Sequence, residues 1–308
     1  MKKIFFCVLC AVLICASCSC GSDTKTVPSV TEAPIVTEEP AQAPTEVPEP
    51  EGDPQETEVP SQAENTGLAE SGASADASAY KVLVDKLTTD IPLGLQESER
   101  VDFSYFNDSL FVGDSVSGKL ATYVMKQRRT DPGFMGTAQF FVADSFSCRN
   151  ALKQVTDTSK HPTYKGKKMT IEDAVAASGS KKVFIMLGMN DAAFGIDKAV
   201  DNMVTVIERI RDKNPETTIF IQSATPRIRG SQPTTKELFK YDLLLYETVK
   251  DMDHVYFVDV AHAMRDEDGN LREMLCSDLT TMTLHLNDKG CQVWVEWLVR
   301  HALTEDRG

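Results

Sequence analysis

An α/β fold, a mostly parallel sheet with helices on both faces, is what this sequence predicts for about 230 of its 308 residues. Two observations predict it. Apolar runs short enough for buried strands recur at 110–112, 139–143, 182–187, 218–222 and 255–258. Segments with helical periodicity alternate with them, at 116–128, 170–178, 197–213, 235–250 and 287–303. In such folds a ligand sits beyond the carboxyl ends of the strands, so the residues just after each apolar run carry the chemistry.

The clearest helix is 197–213, where Val200, Met203, Val204, Ile207 and Ile210 share one face and Asn214-Pro215 stops the run. In the last helix, Val293, Trp297 and Leu298 form an apolar stripe that core packing explains without a ligand.

The first 78 residues read differently. Lys2 and Lys3 precede an apolar run from Ile4 to Ala16, about 13 residues, shorter than the roughly 20 that span a bilayer. This is the layout of a secretory signal. Its exit, Cys15-Ala16-Ser17-Cys18-Ser19-Cys20-Gly21, resembles the bacterial lipoprotein signal. That resemblance implies cleavage after residue 17 and lipid attachment at Cys18, with Cys20 the alternative; Cys15 stands where that family prefers Leu. Cys7 and Cys10 lie inside the apolar run and carry no metal or redox implication there. From 18 to 78 the chain is rich in Pro, Thr and Glu, with eight of the fourteen prolines and thirteen acids against Lys25 alone between 22 and 78. A stretch so polar cannot bury enough apolar surface to order itself, and it reads as a self-repelling tether. The expected organisation is therefore signal 1–17, lipidated cysteine and tether 18–78, and one domain 79–308, anchored outside the cell membrane.

The formal charge of −14 argues against nucleic acid as a partner. Residues 1–78 carry −10 of it, so the domain is only mildly acidic at −4. Three cysteines, Cys148, Cys276 and Cys291, belong to the domain, and an odd number implies no disulfide framework. No Gly-x-Gly-x-x-Gly or P-loop pattern supports nucleotide binding, the five histidines show no metal-like spacing, and no cofactor is expected.

Three strand ends carry candidate chemistry. Gly113-Asp114-Ser115 follows the first run, placing a serine where a helix begins and its N–H is free; Ser115 as a simple helix cap is the alternative. Gly188-Met189-Asn190-Asp191 follows the third run, where an uncharged amide can donate to a developing oxyanion and where a plain turn is the alternative. His285-Leu286-Asn287-Asp288 precedes the last helix and offers a general base, with Asn287 or Asp288 as cap.

Together these blocks resemble the SGNH (GDSL) hydrolase family over about 107–303, in the family's order. The resemblance implies a flavodoxin-like three-layer α/β/α sandwich and ester hydrolysis by Ser115, with His285 as base. Asn190 and the backbone N–H of Ser115 are implied as oxyanion donors, and Gly113, Asp114, Gly188 and Asp191 as motif support. Two positions depart from the family. Ser145 stands where the family has an oxyanion-hole glycine, and serine resists positive φ. Met282 stands where the family has an aspartate three residues before the histidine. Asp278, seven residues before His285, reaches the ring only if the loop folds back; otherwise the site is a Ser–His dyad.

His262 is the second choice of base, while His161, His254 and His301 read as surface residues. The loop Arg227-Ile228-Arg229-Gly230 opens on the crevice side and could meet a carboxylate or sugar hydroxyls, with a solvated loop the favoured reading. The expected substrate is an ester-bearing small molecule or an O-acetylated glycan, by compartment more than by pocket. The rivals are a catalytically weakened glycan-binding relative and a lipase or thioesterase of the same fold.

Overall fold

The computed structural model describes residues 91–304. The signal, Cys18 and Cys20, the tether, and residues 79–90 and 305–308 of the expected domain lie outside the described residues.

Five strands form one parallel sheet. In chain order the elements are β1 (Ser109–Gly113), α1 (Ser115–Gln127), β2 (Gln139–Val142) and the short α2 (Cys148–Ala151). A small antiparallel hairpin follows, β3 (Thr163–Tyr164) and β4 (Lys167–Lys168), then α3 (Ile171–Ser178) and β5 (Lys182–Met186). The last are α4 (Ile196–Lys213), β6 (Thr218–Gln222), α5 (Thr235–Val249), β7 (Val255–Val258) and α6 (Asp288–Arg300). The sheet order is β2-β1-β5-β6-β7, and each neighbouring pair is parallel. The five expected strands are present to within a residue or two, and so are the five long helices, except that the last ends three residues early. The hairpin and α2 are additions, too short to register as periodicity.

Alternation along the strands splits the core into two layers. Leu110, Val112, Val183, Ile185, Ile219, Ile221 and Phe257 face α3, α4 and α5. Phe111, Phe184, Phe220, Tyr256 and Val258 face α1 and α6. The second layer contains an aromatic ladder. Phe140, Phe111, Phe184, Phe220 and Tyr256 are registered neighbours on the five strands. Their successive ring centroids lie 5.4, 4.6, 4.5 and 5.8 Å apart in stacked orientations. Each ring buries a large apolar area and gains from offset stacking on the next.

α4 buries the stripe the sequence predicts, except that Val204 is only partly buried and Ala199 and Val206 join it. In α6 the buried face is Trp294, Val295, Leu298 and Val299, whereas Val293 and Trp297 are only partly buried. The expected stripe there is thus rotated, because the helix packs on Trp294, fully buried with its indole N–H donating to Gln222 Oε1 at 2.8 Å.

The segment before β1 covers the open edge of β7. Gly94 bridges Val258, Leu95 N–H donates to Phe257 O at 2.8 Å, and Val101 N–H donates to Val299 O at 2.8 Å. An uncovered edge strand would present unpaired backbone groups to other chains.

Candidate active site

β1 ends at Gly113 and α1 begins at Ser115, so Asp114 alone makes the turn. Asp114 is the helix cap, its Oδ1 accepting from Val116 N–H at 2.9 Å. Ser115 is therefore the first helical residue and not the cap, and its own N–H has no partner within the helix. Gly113 has a steric role: a Cβ there would lie 2.0 Å from Ser117 Oγ and 2.9 Å from Met186 O. Glycine thus lets the first turn of α1 close onto the sheet while Asp114 caps it. Burial pushes the Asp114 carboxyl up to about 6, against the opposing pull of the Val116 and Ser117 N–H groups and of His285.

The half-buried Ser115 hydroxyl lies 2.9 Å from His285 Nε2, and His285 Nδ1 lies 2.7 Å from Asp278 Oδ2. The loop carrying both partners does fold back. Cys276 bridges Leu286, and Ser277 N–H donates to His285 O at 2.8 Å, which closes a small hairpin. Asp278 is its hub: Oδ1 accepts from Leu284 N–H, His285 N–H and Cys276 Sγ, each at 3.1 Å. Burial by itself would raise the Asp278 carboxyl, but these bonds and the imidazole outweigh it and hold it below its ordinary value. A carboxylate on Nδ1 keeps the proton there, so Nε2 accepts from the Ser115 hydroxyl. Met282, at the family's acid position, is exposed at the tip of the loop.

Arg227 is buried, contrary to the solvated loop expected for it. Its guanidinium donates to Gln232 O, to Met282 O at 2.5 Å and to Thr283 Oγ1 at 3.1 Å. Ile228 N–H adds a bond to Thr283 O at 3.2 Å. Planar, multiply donating Arg suits such a clamp, which ties the hairpin tip to the segment after β6. Arg229, by contrast, is exposed and pairs with Asp268. A cation just beyond a strand end was the available signal; nothing in the sequence said that its partners would be loop carbonyls.

The opposite wall holds the expected oxyanion donors. Ser145 has φ +55°, so it takes the left-handed conformation despite its side chain. Among the described residues neither Ser115 N–H nor Ser145 N–H donates to a protein acceptor. Asn190 differs: its Nδ2 donates to Asp114 Oδ2 at 2.8 Å and to Phe146 O at 3.2 Å. Both amide hydrogens are engaged, so donation to an oxyanion requires sharing or releasing the longer bond. Asp191 accepts from Cys148 N–H at 2.9 Å and Arg149 N–H at 3.0 Å, locking α2 and the Ser145 loop to the end of β5. Burial raises the Asp191 carboxyl even so. At Gly188, φ is +126° and a Cβ would stand 2.2 Å from the Tyr241 ring, so only glycine permits this turn.

The sequence profile of the GDSL-like lipase/acylhydrolase family matches residues 111–293, more than half of the chain. The chain belongs to this family. It is accordingly a carboxylic ester hydrolase with an SGNH-type α/β fold. Solved structures with similarity include a carbohydrate esterase family 3 protein from Talaromyces cellulolyticus, at 17% identity and TM-score 0.44 over 61% of this chain and 92% of that one. Another is a variant of an acetyl-xylooligosaccharide esterase from Geobacillus stearothermophilus, at 14% identity and TM-score 0.45 over 63% and 92%. A third is the catalytic domain of a peptidoglycan O-acetyltransferase from Streptococcus pneumoniae, at 13% identity and TM-score 0.42 over 61% and 88%. No curated protein matches.

In this GDSL-family hydrolase Ser115, His285, Ser145 and Met282 line one cavity of about 630 Å³, together with Lys119 and Asp144. His262, the second choice of base, lies against Trp297 with ring centroids 5.3 Å apart and does not line that cavity. His161 and His301 are buried, not at the surface. His161 is held by Ser159 Oγ and Ala151 O, and His301 stacks on Trp297 at 3.6 Å. Cys148, Cys276 and Cys291 are free, buried thiols. Burial pushes Cys276 up to about 11, so it stays protonated and donates to Asp278. Among the described residues no cluster of three or more His, Cys, Asp or Glu side chains gathers where a metal could be held.

Proposed function

We propose that this protein is a lipid-anchored, extracytoplasmic serine esterase that removes O-acetyl groups from glycans, with Ser115 as nucleophile. The observation that carries the reading is the unbroken hydrogen-bond chain Ser115–His285–Asp278 opening onto a cavity of about 630 Å³. In this mechanism His285 Nε2 takes the hydroxyl proton as Ser115 Oγ attacks the ester carbonyl, and Asp278 stabilises the imidazolium. The N–H groups of Ser115 and Ser145 receive the oxyanion, joined by Asn190 as its bond to Phe146 O yields. His285 then protonates the departing sugar hydroxyl, and water attacking the acetyl-enzyme releases acetate.

Two features support an acetylated glycan over a long-chain lipid. The cavity is lined by Lys119, Thr122, Asp144 and the two serines, with Met282 its one large apolar wall. The signal-like start and the Cys18 exit support an envelope location, where the enzyme would meet cell-wall or environmental polysaccharide.

The test is acetate release by the full-length protein from chemically acetylated oligosaccharides and from p-nitrophenyl acetate, beside Ser115→Ala. Ser115-dependent release from both is expected. Hydrolysis of long-chain p-nitrophenyl esters with none of the acetyl substrates would overturn the acetyl assignment. For the anchor, Cys18→Ala is expected to move the protein from the membrane fraction to the medium, and unchanged partition would overturn Cys18 as the lipid site.

A further inference from the structure

Helix α1 presents Ser115, Gly118, Lys119 and Thr122 at i, i+3, i+4 and i+7, a single face, and all four line the cavity of the nucleophile. Lys119 and Thr122 also line a second cavity of about 620 Å³, between α1 and the start of α6, whose other walls include Tyr123, Met274, Ser277, Leu286, Asp288 and Lys289. Two cavities that share two wall residues form one trough, with Ser115 at one end. From Ser115 to the Lys126–Asp288 ion pair, whose Asp288 lines the second cavity, is eleven residues of helix, roughly 16 Å at 1.5 Å per residue.

Two further observations say what the trough takes. Gly118 sits within the helix, where glycine is unfavourable, yet a Cβ there would meet nothing within 4 Å. No packing contact demands glycine at this position; what its missing side chain leaves open is the trough. Second, among the described residues the exposed ammonium groups of Lys119 and Lys289 have no acidic partner, although the domain is acidic overall. Of the two carboxylates in the trough, Asp288 lines the second cavity but is paired with Lys126, and Asp144 lines only the end that holds the nucleophile.

We infer that the trough is a subsite for the sugar chain on the alcohol side of the ester, and that the chain it fits bears carboxylates. The inference rests on the esterase reading above and names the substrate class within it. Hydroxyls of the chain meet Thr122 and Ser277, and its acid groups meet Lys119 and Lys289.

The experiment compares kcat/KM of the full-length protein on acetylated oligogalacturonides, on the same oligosaccharides after carboxyl reduction, and on p-nitrophenyl acetate. The wild type is expected to prefer the acidic chains by about tenfold at low salt and to lose most of that preference at 0.5 M salt, because exposed charge pairs are screened. Lys119→Glu combined with Lys289→Glu is expected to abolish the preference. Gly118→Leu is expected to lower kcat/KM on the oligosaccharides by about tenfold more than on p-nitrophenyl acetate, since only the longer substrate occupies the trough. Circular dichroism melting of each variant separates loss of fold from loss of the subsite; should Gly118→Leu unfold, Gly118→Ser replaces it. Ser115-dependent hydrolysis of p-nitrophenyl acetate with equal rates on acidic and reduced chains would overturn the subsite alone. Absence of Ser115-dependent hydrolysis on all three substrates would overturn the esterase reading itself.

Discussion

The nucleophile and its acid–base partners are held by different kinds of structure. Ser115 begins a thirteen-residue helix at the end of a central strand, and its position follows from backbone geometry, one capping carboxylate and a glycine. Asp278 and His285 sit on a hairpin outside the main sheet, shaped by side-chain hydrogen bonds to Asp278 and by the Arg227 clamp at its tip. A site half built on regular elements and half on a polar loop should be more easily broken from the loop side, and by changes that touch no substrate.

The largest effect expected is also the one that treats the two sides alike. Ser115→Ala and His285→Ala should each lower kcat by about 10⁴-fold or more, and the double variant by no more than either, since the groups act as a unit. Steady-state kinetics checks this, and additive losses would separate the two residues. Next, Asp278→Asn is expected to lower kcat by about 10⁴-fold. Adding Met282→Asp, the family's usual acid position, should not restore the loss, because Met282 is exposed at the loop tip. Recovery of activity in that double variant would show that the hairpin can reshape.

Arg227→Met tests the clamp without touching the reacting groups. Removing charged hydrogen bonds from a buried site should cost about 2–4 kcal/mol of stability. A fall in kcat of about 10- to 100-fold is expected with KM little changed, and partial recovery in Arg227→Lys would be limited by the lost planar fork. Melting curves and kinetics report the two effects separately.

The two sides should also answer oppositely to pH. Asp114, raised from 3.8 to about 6, binds its proton more tightly in the folded state, so its contribution to stability falls as pH rises from about 4 to 6. Asp278, held below 3.8, contributes fully above that value and loses its contribution as pH drops through its lower folded pKa. Asp114→Asn should flatten this decline between about pH 4 and 6, worth about 3 kcal/mol. Asp278→Asn should flatten only the acid side. Melting temperature against pH checks both signs. The smallest change is Ser145→Gly, which relieves a positive φ but loosens the unfolded chain, for a net gain of about 0.5 kcal/mol. A loss of stability there would mean that the Ser145 side chain makes a contact of its own.

The same contrast explains what could be read from the sequence. The five strands, the long helices and Ser115 were legible because each follows from local periodicity or from residues adjacent in the chain. His285 was legible from its place before the last helix. Asp278 was not decidable, since seven residues of loop separate it from the ring and only the folded hairpin brings it within 2.7 Å. Arg227 was misread because its partners, Met282 O and Thr283 Oγ1, lie 55 and 56 residues away. Asn190 was recognised for its amide, but its occupation by Asp114 and Phe146 O is a tertiary fact. His161, in a Lys-rich loop, and His301, near the chain end, read as surface residues, whereas a ring contact and a carbonyl hydrogen bond hold each in a buried place.

The segment that covers β7 has a mechanical consequence. Among the described residues, a force pulling the chain from the N-terminal side meets the bonds that join Leu93, Gly94 and Leu95 to β7 and the residue after it, and then those of Ser98 and Val101 to the end of α6. Those bonds would open one after another, as a peel, before the strain could reach the β1–α1 turn. The hairpin that carries His285 makes no bond to this segment among the described residues. The edge cover thus works as a strain relief, through which the domain can be tugged from its N-terminal side while Ser115, His285 and Asp278 keep their distances.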